Sequence, residues 1–404
     1  MSRKQLDALW SEARDLDDSP IKVAILEKAV RMADSLGNLD EGYRLREELV
    51  AAATLSDQRG RAQVAFAWCL AQSDKDPERF PEHGLLWEYN YWILNTITDF
   101  PNIPLEKIRA LQDDLENRLR RGGYGLKSYY DLRINNAKDM GCLAERDKFN
   151  KLWRQAKDDK ISDCRACKQD RWVNVYLDER NYPKVIDAAR PILSGNVACD
   201  RVPHDTYGSL IEAYWALRKK GKAEEMFCRG YRLVGGDRNC PLIISRLLNY
   251  LVRICDIRRG LNLIERHLPC VASLNNSDAR ACFFSRIANF FERLAIDRPQ
   301  SRKVRIPRVL PIHNDEGHYT PAALAAWFRE ESEKIAALFD VRNGNNYFSW
   351  QLARTRADVL GLAYPDYEEP QPPQPASKDK KGQSRFASVR MKRGSTEKKP
   401  EKKS

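Results

Sequence analysis

Three cysteines and one histidine have the residue types and the spacing of a structural metal site. Cys164 and Cys167 form a Cys-x-x-Cys pair, Cys199 follows 32 residues later, and His204 lies five residues beyond it. Thiolate sulfur and imidazole nitrogen are ligands of structural zinc, which takes four of them in a tetrahedron. The four residues therefore predict a zinc site with three Cys ligands and one His ligand. The alternative interpretation is that these are ordinary thiols of loops and core, without a metal.

A second group of candidate binding residues is a concentration of arginines between positions 246 and 266. The group consists of Arg246, Arg253, Arg258, Arg259 and Arg266. A guanidinium group can pair with a carboxylate or a phosphate through two parallel hydrogen bonds. On a concave face these residues would select acidic peptides or phosphates. On an outer face they would only be solvated, and the sequence leaves both interpretations open.

The sequence contains no recognisable catalytic arrangement. The segment from Gly122 to Ser128 begins like a phosphate-binding loop, but Leu126 stands where that motif requires glycine, and no strand signal precedes it. The five histidines are scattered, and no Ser-His-Asp or Cys-His arrangement can be argued from their spacing. We therefore expect a protein that is not an enzyme.

Helical periodicity dominates the chain, and no β-hairpin signal of weight competes with it. Three stretches in the middle echo one another: each begins with a tight turn, at Arg180, Gly221 and Cys255, and continues with small or apolar residues at helical spacing. Such echoes are typical of helical hairpins that stack into a solenoid. In a stack, residues one repeat apart become neighbours on the same edge. This neighbour relation is what would bring the Cys-x-x-Cys pair to the third cysteine.

The segment from Trp172 to Leu268 repeats small and apolar residues at matching offsets. They are Tyr176, Ala189 and Leu193, then Leu217, Gly221, Gly230 and Val234, then Cys255, Gly260, Ile264 and Leu268. This pattern resembles the tetratricopeptide-repeat family, although the predicted turns are 41 and then 34 residues apart and the family keeps about 34. The whole chain is similar to a group of uncharacterised bacterial tetratricopeptide-like proteins. The resemblance implies an all-α, right-handed α-solenoid that binds a partner.

Composition and pattern divide the chain into four regions. We predict an N-terminal array of helical hairpins over 1–160, tetratricopeptide-like repeats over 161–295, a loop with capping helices over 296–364, and a proline-rich linker with a disordered basic tail over 365–404. Of the net charge of +12, residues 378–404 carry eleven Lys and Arg against three Asp and Glu, so the remainder is nearly balanced.

The same composition bears on the cellular compartment. Ten cysteines in 404 residues are too sparse for a disulfide scaffold. The N-terminus has no apolar stretch like a signal peptide, and no window approaches a membrane span. We therefore expect a cytoplasmic protein without a membrane span.

Three functions stay open at this point. The first is a non-catalytic scaffold that binds a peptide or protein partner in a solenoid groove, with structural zinc as its one expected cofactor. The second is a nucleic-acid-associated protein that uses the basic tail and the arginine group. The third is an uncharacterised metal-dependent enzyme. We favour the scaffold, because helical repeats build extended binding surfaces and the catalytic residues that an enzyme needs are not recognisable.

Overall fold

The computed structural model describes residues 2–199, 201–236 and 240–367, and this part of the chain is almost entirely helical. The N-terminal helices are α1 (Arg3–Arg14), α2 (Pro20–Ser35), α3 (Leu39–Leu55), α4 (Arg59–Lys75), α5 (Glu82–Glu88), α6 (Leu105–Arg121), α7 (Lys127–Asp139) and α8 (Leu143–Gln155). The later helices are α9 (Arg165–Asp178), α10 (Tyr182–Leu193), α11 (His204–Ala216), α12 (Lys220–Val234), α13 (Pro241–Arg253), α14 (Ile257–Ala272), α15 (Ser277–Asp297), α16 (Pro321–Asn343) and α17 (Tyr347–Leu360). The fold is all-α, as predicted. Beyond Tyr367, the predicted linker and tail lie outside the described residues.

Short irregular elements connect some of these helices. A π-helical segment covers Tyr89–Leu94, and a 3₁₀ turn covers Ile97–Asp99. Strands β1 (Arg302–Lys303) and β2 (His318–Tyr319) form one antiparallel pair in the loop before α16. Of the helices in the described ranges, none combines the length and the apolar composition that crossing a membrane requires.

Consecutive helices pack as hairpins, and the hairpins stack. From α7 onward the pairs are α7 with α8, α9 with α10, α11 with α12, α13 with α14 and α15 with α16. The first helices of successive hairpins also touch, because α9 packs on α11, α11 on α13 and α13 on α15. These first helices form one layer of the stack. This packing is that of an α-solenoid.

In the four hairpins from α7 to α14, the turn ends the first helix with one residue in the left-handed region. These residues are Gly141 (φ +74°), Arg180 (φ +55°), Arg218 (φ +58°) and Cys255 (φ +57°). At each turn the next residue donates its N–H to the carbonyl five positions earlier, at 2.8 to 3.0 Å. This hydrogen bond is characteristic of a Schellman motif. The turns follow one another after 39, 38 and 37 residues.

The predicted turn at Gly221 is wrong. Gly221 lies in the first turn of α12, and the left-handed residue is Arg218. Glycine adopts positive φ without steric penalty. Here the chain places arginine in that conformation, at a cost of about 1 kcal/mol. The spacing is therefore nearly constant, at 38 and 37 residues across these turns.

Side chains of neighbouring hairpins bond to each other at this repeat distance. Lys138 Nζ lies 2.6 Å from Asp178 Oδ1, 40 residues away. Thr206 donates its hydroxyl to Asp170 Oδ1 at 2.5 Å, across 36 residues. The neighbour relation assumed from the sequence is thereby confirmed.

Buried apolar residues form two clusters. The first extends from Leu6 to Ile161, and the second from Ala166 to Val359. Trp172 packs against both clusters, and its ring lies 5.1 Å from the ring of Trp153. The described residues form a single compact unit.

Candidate metal site and cationic cavity

The three cysteines of the predicted metal site lie at the start of α9 and in the connection before α11. Cys164 is the N-cap of α9, and Cys167 lies in the first turn of that helix. Cys199 lies between α10 and α11, where its N–H donates to the Val202 carbonyl at 3.1 Å. All three sulfur atoms lie within 4.8 Å of one another. The structure therefore brings the three cysteines together, as predicted.

The positions of the sulfur atoms suit a metal ion better than a disulfide. Cys167 Sγ lies 3.6 Å from Cys199 Sγ, whereas the sulfurs of a disulfide are about 2.0 Å apart. Two sulfurs that bind one tetrahedral ion at about 2.3 Å are separated by about 3.8 Å. Cys164 Sγ also accepts the N–H of Cys167 at 3.4 Å. The three cysteines could therefore hold a metal ion.

The surroundings of Cys164 favour the thiolate that a metal requires. Burial alone would raise the pKa of Cys164, but hydrogen bonds from the Cys167 N–H and from the thiols of Cys167 and Cys199 outweigh it and lower that pKa. The N-terminus of α9 acts in the same direction. Burial, together with the Asp163 carboxylate, raises the pKa of Cys167. A bound cation would therefore be needed to hold Cys167 as a thiolate at neutral pH.

His204, the predicted fourth ligand, is the first residue of α11. Its ring nitrogens do not belong to the group of ligand atoms that lie within 4.8 Å of one another. Its Nδ1 is buried and has no hydrogen-bond partner in the described part of the chain. A buried nitrogen of this kind is available to a metal, so His204 stays a prediction as fourth ligand.

The five arginines singled out from the sequence do not share one surface. Arg246 and Arg253 line a polar cavity, whereas Arg258, Arg259 and Arg266 do not. Arg259 is neutralised by two carboxylates, and Arg258 is exposed on α14. Arg266 lies at a different cavity, of about 370 Å³.

The polar cavity has a volume of about 360 Å³ and lies between the first helices of the stack and α17. Seven basic residues line it: Lys138, Arg146, Arg180, Arg246, Arg253, Arg286 and Arg354. Three acidic residues line it as well: Asp178, Glu212 and Asp358. We call it the cationic cavity, because its lining has an excess of four positive charges over negative ones.

Three of the seven cations have carboxylate partners. Lys138 pairs with Asp178 at 2.6 Å, and Arg253 pairs with Asp358. Arg146 pairs with Asp147, the next residue in the sequence. The other four form no ion pair within the described ranges; they are Arg180, Arg246, Arg286 and Arg354. Unpaired guanidinium groups that converge on one cavity attract anions.

Helix α17 closes the cationic cavity. It packs against α13, α15 and α16. Before its first turn, Asn345 Nδ2 donates to the Met140 carbonyl at 2.8 Å, across 205 residues of sequence. Tyr347 packs so closely on Gly141 that a Cβ at position 141 would come within 2.4 Å of the tyrosine Cβ. The turn between α16 and α17 is thereby fixed to the turn between α7 and α8.

A smaller acidic cavity of about 60 Å³ adjoins the cationic one. Three aspartates line it, Asp99, Asp139 and Asp278, and Arg286 lines both cavities. Burial raises the pKa of each aspartate, to about 6 for Asp139, and repulsion from Asp278 adds to the shifts of the other two. Asp99 pairs with Arg59, whereas Asp139 and Asp278 have no ion-pair partner among the described residues.

Sequence reasoning missed five of the seven cations. These five lie outside the window from 246 to 266; they are Lys138, Arg146, Arg180, Arg286 and Arg354. The repeat length is a signal that could have found part of the cavity, because Ser209 and Arg246 line it 37 residues apart on α11 and α13. The sequence has no comparable signal for α17.

Comparisons with known proteins provide no family for this chain. No protein-family model matches it, and no curated protein sequence matches it. The resemblance to tetratricopeptide repeats therefore stays a prediction, and the geometry of the two sites is what supports a functional proposal.

Proposed function

We propose that this protein is a non-catalytic scaffold that binds a segment of a partner protein in the cationic cavity. The supporting observation is that successive hairpins contribute their first helices to one cavity with four unpaired arginines. Repeat stacks commonly bind ligands along such a surface. A volume of about 360 Å³ lies at the lower end of ligand pockets, so the bound part is a short peptide stretch. The excess of positive charge favours an acidic segment.

Site-specific crosslinking tests this proposal. A photo-crosslinking amino acid at position 249, in the cavity, is compared with one at position 222, on the exposed part of α12. We expect an adduct from position 249 alone, and mass spectrometry identifies the crosslinked peptide. The synthetic peptide should then bind the purified chain, and Arg246→Gln should weaken binding at least tenfold, about 1.4 kcal/mol. A peptide that binds the variant and the native chain equally contradicts the proposal.

We also propose zinc as the metal of the thiol cluster, with Cys164, Cys167, Cys199 and His204 as its four ligands. Three thiolates and one neutral imidazole make a closed site of the structural kind. The ion would join the start of α9 to the connection before α11, so it would link two consecutive hairpins. The 3.6 Å separation of the Cys167 and Cys199 sulfurs supports tetrahedral geometry.

Metal analysis of chain purified without added metal tests the zinc site. We expect about one zinc per chain, and a melting temperature that falls in chelator. Cys164→Ser should remove the zinc, whereas the matched variant Cys228→Ser changes an exposed thiol on α12 and should not. A native chain with almost no zinc and unchanged melting in chelator would end the proposal.

The state of the cysteines bears on the cellular compartment. None of the ten cysteines, all of them within the described ranges, forms a disulfide. This supports a reducing compartment, and we propose the cytoplasm.

Deletion of residues 378–404 separates the nucleic-acid alternative from the scaffold. Loss of nucleic-acid binding with retention of the crosslink at position 249 would assign nucleic-acid binding to the tail alone.

A further inference from the structure

We infer that the cationic cavity binds a phosphate monoester, carried by the partner segment as a phosphorylated side chain. This inference rests on the proposed function and adds the chemical group that is recognised. It is carried by the charge of the cavity lining, by its volume and by the way in which its arginines are held.

The charge balance favours a dianion over a single carboxylate. Four arginines of the lining have no ion-pair partner among the described residues. Among the lining carboxylates within the described ranges, only Glu212 has no ion-pair partner. A carboxylate brings one negative charge, but a phosphate monoester brings about 1.5 to 2 at pH 7, with three acceptor oxygens. In about 360 Å³ there is room for few groups, so the group with the higher charge neutralises the lining best.

The unpaired cations are all arginines, and a guanidinium group matches phosphate oxygens with two parallel donors. The stem of Arg246 lies directly on Gly208 of α11, where a Cβ would come within 3.1 Å of Arg246 Cδ. A glycine inside a helix costs about 1 kcal/mol relative to alanine. Its presence here leaves space for the arginine stem to cross α11 beside the cavity.

Two further arginines are held by their surroundings while they keep donors available. Arg286 Nη1 donates to the Cys282 carbonyl at 2.7 Å, and its Nε is buried without a partner in the described part of the chain. The Arg354 guanidinium lies 5.2 Å from the centre of the Trp350 ring. Arginines restrained in this way lose little conformational entropy when they bind an anion.

The acidic neighbours add a selection against weak anions. Arg286 faces Asp278 at longer range, and Glu212 lies in the cavity itself. A ligand must compete with these carboxylates for the guanidinium groups. A dianion does so more effectively than another carboxylate, because it bonds two arginines at once.

Binding of defined peptide libraries tests the inference. Three libraries of fluorescent hexapeptides are compared, identical except for one fixed residue: phosphoserine, glutamate or serine. We expect the phosphoserine library to bind at least tenfold more tightly than the glutamate library, and inorganic phosphate to compete. Arg246→Gln and Arg354→Gln should each weaken binding at least tenfold. The matched variant Arg258→Gln, on the exposed face of α14 and outside the cavity, should bind like the native chain.

The outcomes separate this inference from the proposed function. Equal binding of the phosphoserine and glutamate libraries, both weakened by Arg246→Gln, would overturn the phosphate inference and leave the scaffold in place. Phenyl phosphate is measured beside the libraries as a small phosphate ester, and its binding without binding of any peptide would overturn both, since the ligand would then be a small ester. Binding that none of the cavity variants weakens would also overturn the inference. Circular-dichroism melting of each variant confirms that it is folded.

Discussion

The thiol cluster and the cationic cavity use the same stack of hairpins in different ways. The cluster joins residues that lie 32 positions apart in sequence, close to one repeat, on consecutive hairpins. The cavity needs α17 to return across the stack and contact residues 205 positions away. The first arrangement depends on local repetition alone. The second depends on how the whole array closes, so the two should respond independently to mutation.

The largest effect that we expect is from Gly141→Ala. A Cβ there would clash with Tyr347, and the residue has positive φ, so we expect a loss of about 3 kcal/mol of unfolding free energy. Gly123 also has positive φ but has open space around it, so Gly123→Ala should lose about 1 kcal/mol. Urea unfolding measures both values. We expect Gly141→Ala also to weaken peptide binding and to leave the zinc content unchanged.

The next effect concerns the ion pair between α13 and α17. Arg253 is largely buried against Asp358, so Arg253→Gln should loosen α17 and lower the unfolding free energy by about 1.5 kcal/mol. Arg259 pairs with Glu224 in a more exposed setting, and Arg259→Gln should lose about 0.5 kcal/mol. Equal losses of unfolding free energy in the two variants would show that the Arg253–Asp358 ion pair does not stabilise the packing of α17.

The acidic cavity predicts a pH dependence that Asp139→Asn should alter. Burial, and then repulsion from Asp278, raises the pKa of Asp139 to about 6, compared with about 3.9 in an unfolded chain. Between these values the folded protein binds more protons than the unfolded chain, so Asp139 lowers stability as pH rises. The variant should therefore gain stability relative to the native chain from about pH 4 to 6 and then level off.

Melting of both proteins across this range measures the effect. Although neighbouring groups crowd the Asp139 carboxylate, the residue is exposed to solvent, so we expect a difference below about 1 kcal/mol. Titratable groups that do not interact with Asp139 cancel in the comparison. A difference that shrinks as pH rises would contradict the sign of the shift.

The smallest expected effect is at the hairpin turn that the sequence analysis misplaced. Arg218 is exposed and has positive φ, so Arg218→Gly should remove steric strain. The greater freedom of glycine in the unfolded chain offsets part of this gain, and we expect a net stabilisation of about 0.5 kcal/mol. Thermal melting measures it, and neither zinc content nor peptide binding should change. A clear loss of stability in Arg218→Gly would contradict the assignment of positive φ to residue 218.

These differences also explain what the sequence could predict. The helical periodicity and the Cys-x-x-Cys spacing depend on short-range patterns, so the all-α fold and the meeting of Cys164, Cys167 and Cys199 could be predicted. The turn at Arg218 was predicted three residues too late, at Gly221, although the predicted turns at Arg180 and Cys255 also have a non-glycine residue at positive φ. The cavity could not be predicted, because the contact of Tyr347 with Gly141 depends on long-range closure.

Zinc K-edge X-ray absorption of the purified chain tests the central claim, that stacking brings side chains about one repeat apart into one site. We expect three sulfur neighbours at about 2.3 Å and one nitrogen at about 2.0 to 2.1 Å. A shell of oxygen and nitrogen neighbours without sulfur, or a chain that contains no zinc, would contradict it.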